Sequence, residues 1–456
     1  MVLYLVAAFL LPVAAEAASF TMNATESVTI PGFVPHMVIS EDQRSILSIV
    51  WSCVATLFAC AWVAVHPDVP GLDDEGFDHF FHRVKLLGWV LISPEAVLVW
   101  AWRQHRGAQA LRYMFNYGKQ QVHSTNWGLG HGHFLQMGGF VICPDKEDPD
   151  STFIASPEQL QDLTTAGIID FPTEVKTCDI DDKNKGDGLT YFIAIGQLIW
   201  FVTQCIARTV VGLSITLFEL VAVSFAPLTI VMYILWWRKP QNAQAPIVIM
   251  VKPEPPKETN LILSFIQAPI KTFEDMLGTT RRSQSIPPRS RKLPRFYAYP
   301  HEHDPDKISA TPLWAGSFLG TIFGIIHLIG WEFTFATQLE KLLWRASSVV
   351  IIVAPLLTVF NVLSARKNLH PKRKWLAVRD TEKRASEISE VSNESQRSSV
   401  GHICRRIWYG FTAGVLAFGY IAARLILLGV MCSSLRALPG KQLQGVDWIT
   451  DIPHIL

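Results

Sequence analysis

The chain has 456 residues, 49% hydrophobic and 17% charged, whereas soluble proteins carry about a quarter charged side chains. A formal net charge of +1 supplies no field to recruit nucleic acid, so no nucleic-acid partner is expected. The missing charge is concentrated in uncharged blocks, which argues against a soluble domain and for helices that cross a bilayer.

Residues 1–19, "MVLYLVAAFLLPVAAEAAS", form an apolar run ending in Ala15-Glu16-Ala17. This fits a secretory signal with a small-residue cleavage site, although the basic leading region is missing and an uncleaved anchor stays open. Asn23-Ala24-Thr25 follows as a sequon, making Asn23 a glycosylation candidate and 20–45 a lumenal or extracellular segment.

Residues 46–237 read as a membrane region. Ile46–Val65 is uncharged for twenty residues, enough to cross about 30 Å of hydrocarbon. Val84–Trp102 is apolar but carries Lys85 near one end and Pro94-Glu95 mid-block. Residues 103–188 are polar and mixed, a cytosolic subdomain in which Ser156-Pro157 has the form of a helix start. Further spans fall at Thr190–Ala207, Glu219–Trp237, Pro312–Trp331, Ser347–Leu363 and Ile407–Met431.

The loops between spans set the orientation. Residues 238–308 hold twelve lysines and arginines, from Arg238 to Lys307, and Arg366, Lys367, Lys372, Arg373 and Lys374 lead the Ser-rich loop 365–406. Basic loops face the cytosol, so both are assigned there as flexible segments, on either side of the transmembrane pair 309–364. A cytosolic 103–188 and a lumenal amino terminus leave room for one crossing between residues 46 and 188. Val84–Trp102 is therefore expected to be re-entrant or interfacial. Seven crossings, with one rule broken, is the alternative. The last span and a lumenal tail occupy 407–456.

The predicted fold class is thus all-α: a polytopic transmembrane helical bundle of about six spans plus one re-entrant or interfacial helix, multi-pass in the plasma membrane or an endomembrane, with the bilayer as its main partner. Gly316, Gly320 and Gly324 recur every four residues in the span Pro312–Trp331, a face suited to close approach of a partner helix, and Gly410 and Gly414 repeat the spacing in the last.

Ionisable groups in hydrocarbon cost roughly 2.5–3.5 kcal/mol at the centre, so those present need a reason. Arg424 lies deep in "GYIAARLILLG", and Arg208, Glu219, His327 and Glu332 map near the same, lumenal ends of their spans. These five residues make a candidate intramembrane polar pocket in which Glu219 or Glu332 neutralises Arg424. The competing reading is a single buried ion pair that ties helices together.

Other chemistry is weak. His131 and His133 in "NWGLGHGHFLQMGGF" (126–140), with His123 upstream, supply imidazoles but no carboxylate or cysteine nearby. A glycine-permitted docking loop is expected there, packing on the bilayer or on Val84–Trp102. "PHEHDPD" (300–306) reads as a solvated loop, and "DIDD" (Asp179–Asp182) as a hydrophilic turn rather than a cyclase acid or a calcium loop. The seven cysteines contain no CxxC pair, and no nucleotide-binding or hydrolase signature occurs, so neither a metal nor a cofactor is predicted. The basic stretch 281–295 suits anionic lipid, and Ser285, three residues after Arg282, suits phosphorylation that would cancel that attraction.

Several passages resemble an uncharacterised family of multi-pass membrane proteins from filamentous and mushroom-forming fungi: "RSILSIVWSCVATLFACAWVAVHPDVPG" (44–71), "HGHFLQMGGF" (131–140), "KNKGDGL" (183–189), "QLIWFVTQCIAR" (197–208) and "LTIVMYILWWRKPQNAQAPI" (228–247). The resemblance implies a fungal source and an integral membrane location, and transfers no catalytic residue. The expected role is a non-enzymatic membrane component: a sensor, a scaffold or a transport-related protein. The alternatives are a membrane-embedded enzyme acting on a lipid or isoprenoid, and a solute carrier.

Overall fold

The computed structural model describes residues 38–74, 76–117, 127–145, 148–168, 177–184, 188–251, 272, 275–278, 285–287, 289–300, 310–369 and 388–447. Strand β1 (Val38–Gln43) leads into α1 (Ile46–Ala64), whose start is capped by Ser45 Oγ accepting from the Ser48 N–H at 3.0 Å. Helices α2 (Gly76–Ile92) and α3 (Pro94–Tyr117) follow. A small subdomain comes next: α4 (Leu129–Gln136), β2 (Phe140–Cys143), β3 (Phe153–Ile154), α5 (Pro157–Thr165) and α6 (Thr177–Asp182). Helices α7 (Gly188–Val210) and α8 (Leu217–Trp236) lead to β4 (Ile247–Met250). Three long helices, α9 (Ala310–Leu328), α10 (Gln338–Leu369) and α11 (Ile388–Ser434), precede the short α12 (Gly440–Leu443) and β5 (Gln444–Asp447).

Six helical segments are long and apolar enough to cross a membrane: Ile46–Ala64, Thr190–Val210, Leu217–Trp236, Thr311–Glu332, Gln338–Ala365 and Ile407–Ala437. They coincide with the six spans read from hydropathy. Leu217–Trp236 is the most enclosed of them and forms the centre of the bundle, so its apolar residues serve as core while the other five expose one side. Helices α2 and α3 behave differently. They meet at an angle of 116° around Ser93, a sharp V instead of one continuous span. The cause is local: Pro94 occupies the first position of α3, and the residue before a proline is disfavoured in helical backbone.

The all-α expectation is corrected in two places. Strands β3, β2 and β4 form a sheet in which β2 pairs antiparallel with β3 and parallel with β4, and β1 pairs antiparallel with β5. Apolar runs of four residues such as "FVIC" and "IVIM" carry no periodicity that separates strand from buried helix, so only long-range pairing reveals them.

Two further readings change. The "GLGHGHFLQ" stretch is not a loop: α4 is a helix buried against α3, ending at a turn through Gly138 with φ of +80°. Nor is 238–308 one unbroken flexible loop. β4 joins the sheet, and within 285–300 the Ile154 N–H donates to Ser290 O at 2.8 Å and the Leu72 N–H to Arg291 O at 2.9 Å. The helix start at Ser156 is as read, with a capping box to Gln159.

Candidate functional site

The tip of the α2–α3 hairpin is where apolar helices meet buried charge. A helix that ends inside a bundle leaves carbonyls without partners, and those at the end of α2 are taken by one side chain from more than 300 residues away. Arg424 Nη2 donates to Leu91 O at 2.8 Å and Nε to Ile92 O at 3.1 Å. Its guanidinium is only 1% exposed and lies 4.3 Å from the Phe323 ring centre and 5.5 Å from that of Phe225. A planar cation between aromatic faces, at the negative end of a helix, is doubly compensated.

Glu95 sits on the other side of the break, in the first turn of α3, where helix amides favour an anion. It is 5% exposed, and Ser93 Oγ donates to its Oε1 at 2.6 Å. Its side chain rests on the glycine face of α9: a Cβ on Gly320 would come 3.2 Å from Glu95 Cγ, and one on Gly316 would come 2.1 Å from Val99. Gly324 does the same for α10, where a Cβ would lie 2.6 Å from Ile352 Cγ1. The glycine stripe expected to receive a partner helix is thus occupied within the chain by α3 and α10. A Cβ on Gly410 would meet nothing within 4 Å.

His327 is the one other member of the predicted pocket that reaches this region. Its Nδ1 bonds to Phe323 O at 2.8 Å, its ring lies against Phe323, and it is within electrostatic reach of Arg424. The remaining three lie elsewhere. Glu219 Oε1 accepts from Arg44 Nη1 at 2.7 Å, while its Oε2 accepts from the Thr216 N–H at 2.8 Å and completes a capping box. Arg208 holds the carbonyls of Ser214, Lys441, Gln442 and Gln444 at 2.7–3.2 Å. The Glu332 side chain is 71% exposed and pairs with Arg345 at 2.8 Å and Lys341 at 3.5 Å. Neither Glu219 nor Glu332 neutralises Arg424. The carboxylate coupled to it is Glu95, which the sequence marks only by a Pro-Glu pair inside an apolar block.

Residues 5–319 match the family of unknown function DUF8562. The chain belongs to that family. No curated protein and no solved structure matches it. The DUF8562 match takes in the hairpin, Glu95 and the subdomain; Arg424, His327 and Glu332 lie beyond it.

The subdomain has a polar core of its own, at the end of α8. Lys239 is fully buried, with Nζ donating to His66 O at 2.6 Å, Asp68 Oδ1 at 2.8 Å and Gln104 Oε1 at 2.9 Å. The Trp100 and Trp236 ring centres lie 5.0 and 5.2 Å from it. An ammonium has three donors and all are used, so this is a structural tie between α1, α3 and α8. Burial draws the Lys239 amine below its ordinary value, opposed by Asp68. His66, enclosed beside it and bonded to Ala64 O and the Tyr191 hydroxyl, is pushed down to about 3 by the same burial. These residues were not singled out in the sequence, although "HPD" and "WWRKP" are the polar flanks of two spans.

His131 Nδ1 accepts the Gly128 N–H at 3.2 Å, closing the start of α4. His133 is buried against α3, and burial holds it well below its ordinary value, in the neutral form. No group of three or more metal-ligating side chains occurs among the described residues. Asp179, Asp181 and Asp182 are on the exposed side of α6, and Ile180 is its buried anchor. Arg291 pairs with Asp73 at 2.7 Å and Lys292 with Asp74, so half of the basic charge described in 285–295 is internally matched. Ser285 is exposed. Asn23, His123, Arg282 and the cluster His301, His303, Asp304 and Asp306 lie outside the described residues.

Proposed function

We propose that the chain is an integral membrane protein of six crossings, built around a re-entrant hairpin, and that it serves as a non-enzymatic membrane component: a sensor, a scaffold or a transport-related protein. The observation that carries the membrane reading is the chemistry of the outward faces. On α1 the exposed side chains Leu47, Trp51, Val54 and Phe58 follow one another at helical spacing; on α11 Trp408, Phe411, Val415 and Phe418 do the same. A helix on the surface of a soluble protein turns a polar face outward. Apolar stripes facing away from the protein suit hydrocarbon.

Chain pairings favour an even number of crossings. β1 precedes the first span and β5 follows the last, yet they hydrogen-bond to each other, so both belong on one face of the membrane. Asp68 and Asp74 follow the first span and pair with Lys239 and Lys292, and β2 pairs with β4, so all of these belong together on the other face. α2 and α3 lie between Asp74 and β2 and must then enter and leave by the same side. Re-entrant backbone at membrane depth is tolerated where protein surrounds it, and Arg424 with the glycine face of α9 surrounds this tip.

The non-enzymatic role is supported by how the internal polar groups are spent. On the enzyme reading, Arg208, Glu219, His327 and Arg424 gather around one chamber; His327 does lie near Arg424, but Glu219 and Arg208 are taken up by Arg44 and the 441–444 carbonyls. Anionic lipid near 281–295 would meet Arg289 and Arg295, since Arg291 and Lys292 are matched to aspartates.

Glycosylation mapping tests the topology. Asn23 and a sequon introduced after Asp447 should both carry sugar, whereas sequons introduced between β2 and β3 or after β4 should stay bare, as should Asn393. Sugar at only one of the two ends would make the crossing number odd and end this reading. Release of the chain from membranes by alkaline carbonate would end the membrane assignment itself.

A further inference from the structure

A cavity of about 30 Å³ lies against the hairpin tip, lined by Glu95, Gly316, Ser317, Pro355, Tyr420 and, at its subdomain end, Leu277. That volume holds a water molecule or two. Two of the lining residues carry a buried polar atom, Glu95 Oε2 and the Tyr420 hydroxyl, whose interaction is with each other and which have no further hydrogen-bond partner. The other two hydroxyls of the wall are spent, since Ser317 Oγ donates to Pro355 O and Thr358 Oγ1 to Ala354 O, each at 2.8 Å. A buried carboxylate oxygen with spare acceptor capacity beside a water-sized space is a place where a proton can arrive and stay.

We propose that Glu95 is a proton-binding site, supplied with water through this cavity from the subdomain face. The titratable and charged groups facing Glu95 are Arg424 and Tyr420, both from α11; α9 contributes Gly316, Ser317 and Gly320, and α10 contributes Pro355 and Thr358. With Glu95 ionised, its charge and that of Arg424 cancel. A proton carried in on hydronium bonds to Oε2 and leaves water behind, and the tip then carries the single positive charge of Arg424. The glycine face of α9 is what lets the carboxylate reach this position, because any side chain at Gly320 would press on the Glu95 stem. The position of Leu277 at the subdomain end of the cavity sets the side of entry, held there by Arg103 Nη1 bonding to Asp275 O at 2.9 Å and Met276 O at 3.1 Å.

Infrared difference spectroscopy on the full chain in lipid vesicles tests this, with pH stepped from mildly alkaline to mildly acidic. The expected result is a carboxylic-acid C=O band that grows on acidification, vanishes in Glu95→Gln, and moves in frequency in Tyr420→Phe. Removing the phenol deprives the anion of a donor, so the midpoint in Tyr420→Phe should rise by about one pH unit. If Glu95→Gln does not accumulate, Glu95→Asp serves, and its band must shift. A spectrum with no Glu95-dependent band would make Glu95 a fixed counter-ion of Arg424 and overturn the proposal. So would a band indifferent to Tyr420→Phe. Only the side of entry rests on the six-crossing reading; the band reports the carboxyl however the chain is threaded, so the two fail separately.

Discussion

Gly132 of α4 packs against the α3 backbone at Ala108, and replacing it by alanine has a cost that can be worked out. A Cβ at this position would lie 2.4 Å from Ala108 O and 3.0 Å from Ala108 Cα. Ordinary contact begins near 3.4 Å, so α4 must retreat by about 1 Å. The obstacle is backbone, which cannot rotate aside, and this puts the overpacking cost near the upper end of the usual range, about 3 kcal/mol. Alanine recovers about 1 kcal/mol of helix propensity. The net loss is about 2 kcal/mol, roughly a thirtyfold change in an equilibrium constant. Gly130 is the matched control, because a Cβ there would meet only Arg238 O at 3.6 Å. Thermal aggregation midpoints of the two variants, followed by size-exclusion chromatography in one detergent, should separate them: Gly132→Ala well below the parent, Gly130→Ala level with it or slightly above. If the two variants melt together, the close approach of α3 and α4 as described is wrong.

Arg424→Leu strands two buried carbonyls, each worth about 1–3 kcal/mol unpaired, and should sharply lower the yield of monodisperse protein; Arg424→Lys should recover only part of it, because an ammonium lacks the fork that spans Leu91 and Ile92. His66 titrates near 3 in the folded chain against an ordinary value of 6.5, so the unfolded chain binds more protons between these limits. Its contribution to stability is therefore whole above about pH 6.5 and declines as pH falls towards 3, by up to about 1.4 kcal/mol per pH unit. His66→Asn should flatten the acid limb of a melting-temperature profile, and an unchanged slope would exclude His66 as its source. Glu219→Ala removes both the Arg44 ion pair and the acceptor of the Thr216 N–H that closes the capping box of α8, whereas Glu219→Gln keeps an oxygen acceptor for that N–H and loses the charge of the pair; Glu219→Ala should destabilise more, and equal midpoints would mean the cap contributes nothing.

The six apolar helices are legible in the sequence because length and hydropathy are local properties. That Val84–Trp102 departs from a plain span is expected from the charge of the loops, but the break at Ser93 emerges only in the structure, with Pro94 as its local cause. What escapes a reading of the chain is the pairing of distant groups. Arg424 announces a buried charge, but its acceptors are backbone carbonyls at 91 and 92, which no side-chain identity advertises. Position along the spans offers Glu219 or Glu332 to Arg424, whereas Glu219 is paired with Arg44, in the lead-in to α1, and Glu332 with Arg345 and Lys341. The glycines of α4 lowered its apparent helix propensity, and only the close backbone of α3 explains them. Glu95 became visible as a site only once the glycine face of α9 was set against it.

The pairing of Val38–Gln43 with Gln444–Asp447 has a consequence for synthesis. Arg44 and Arg208 take as acceptors the carbonyls of residues 441–444, so two cationic side chains wait for a segment translated after all six apolar helices. The latch can close only after the ribosome has delivered that segment, and a nascent chain halted at Pro439 would hold all six apolar helices yet leave both guanidiniums without these carbonyls.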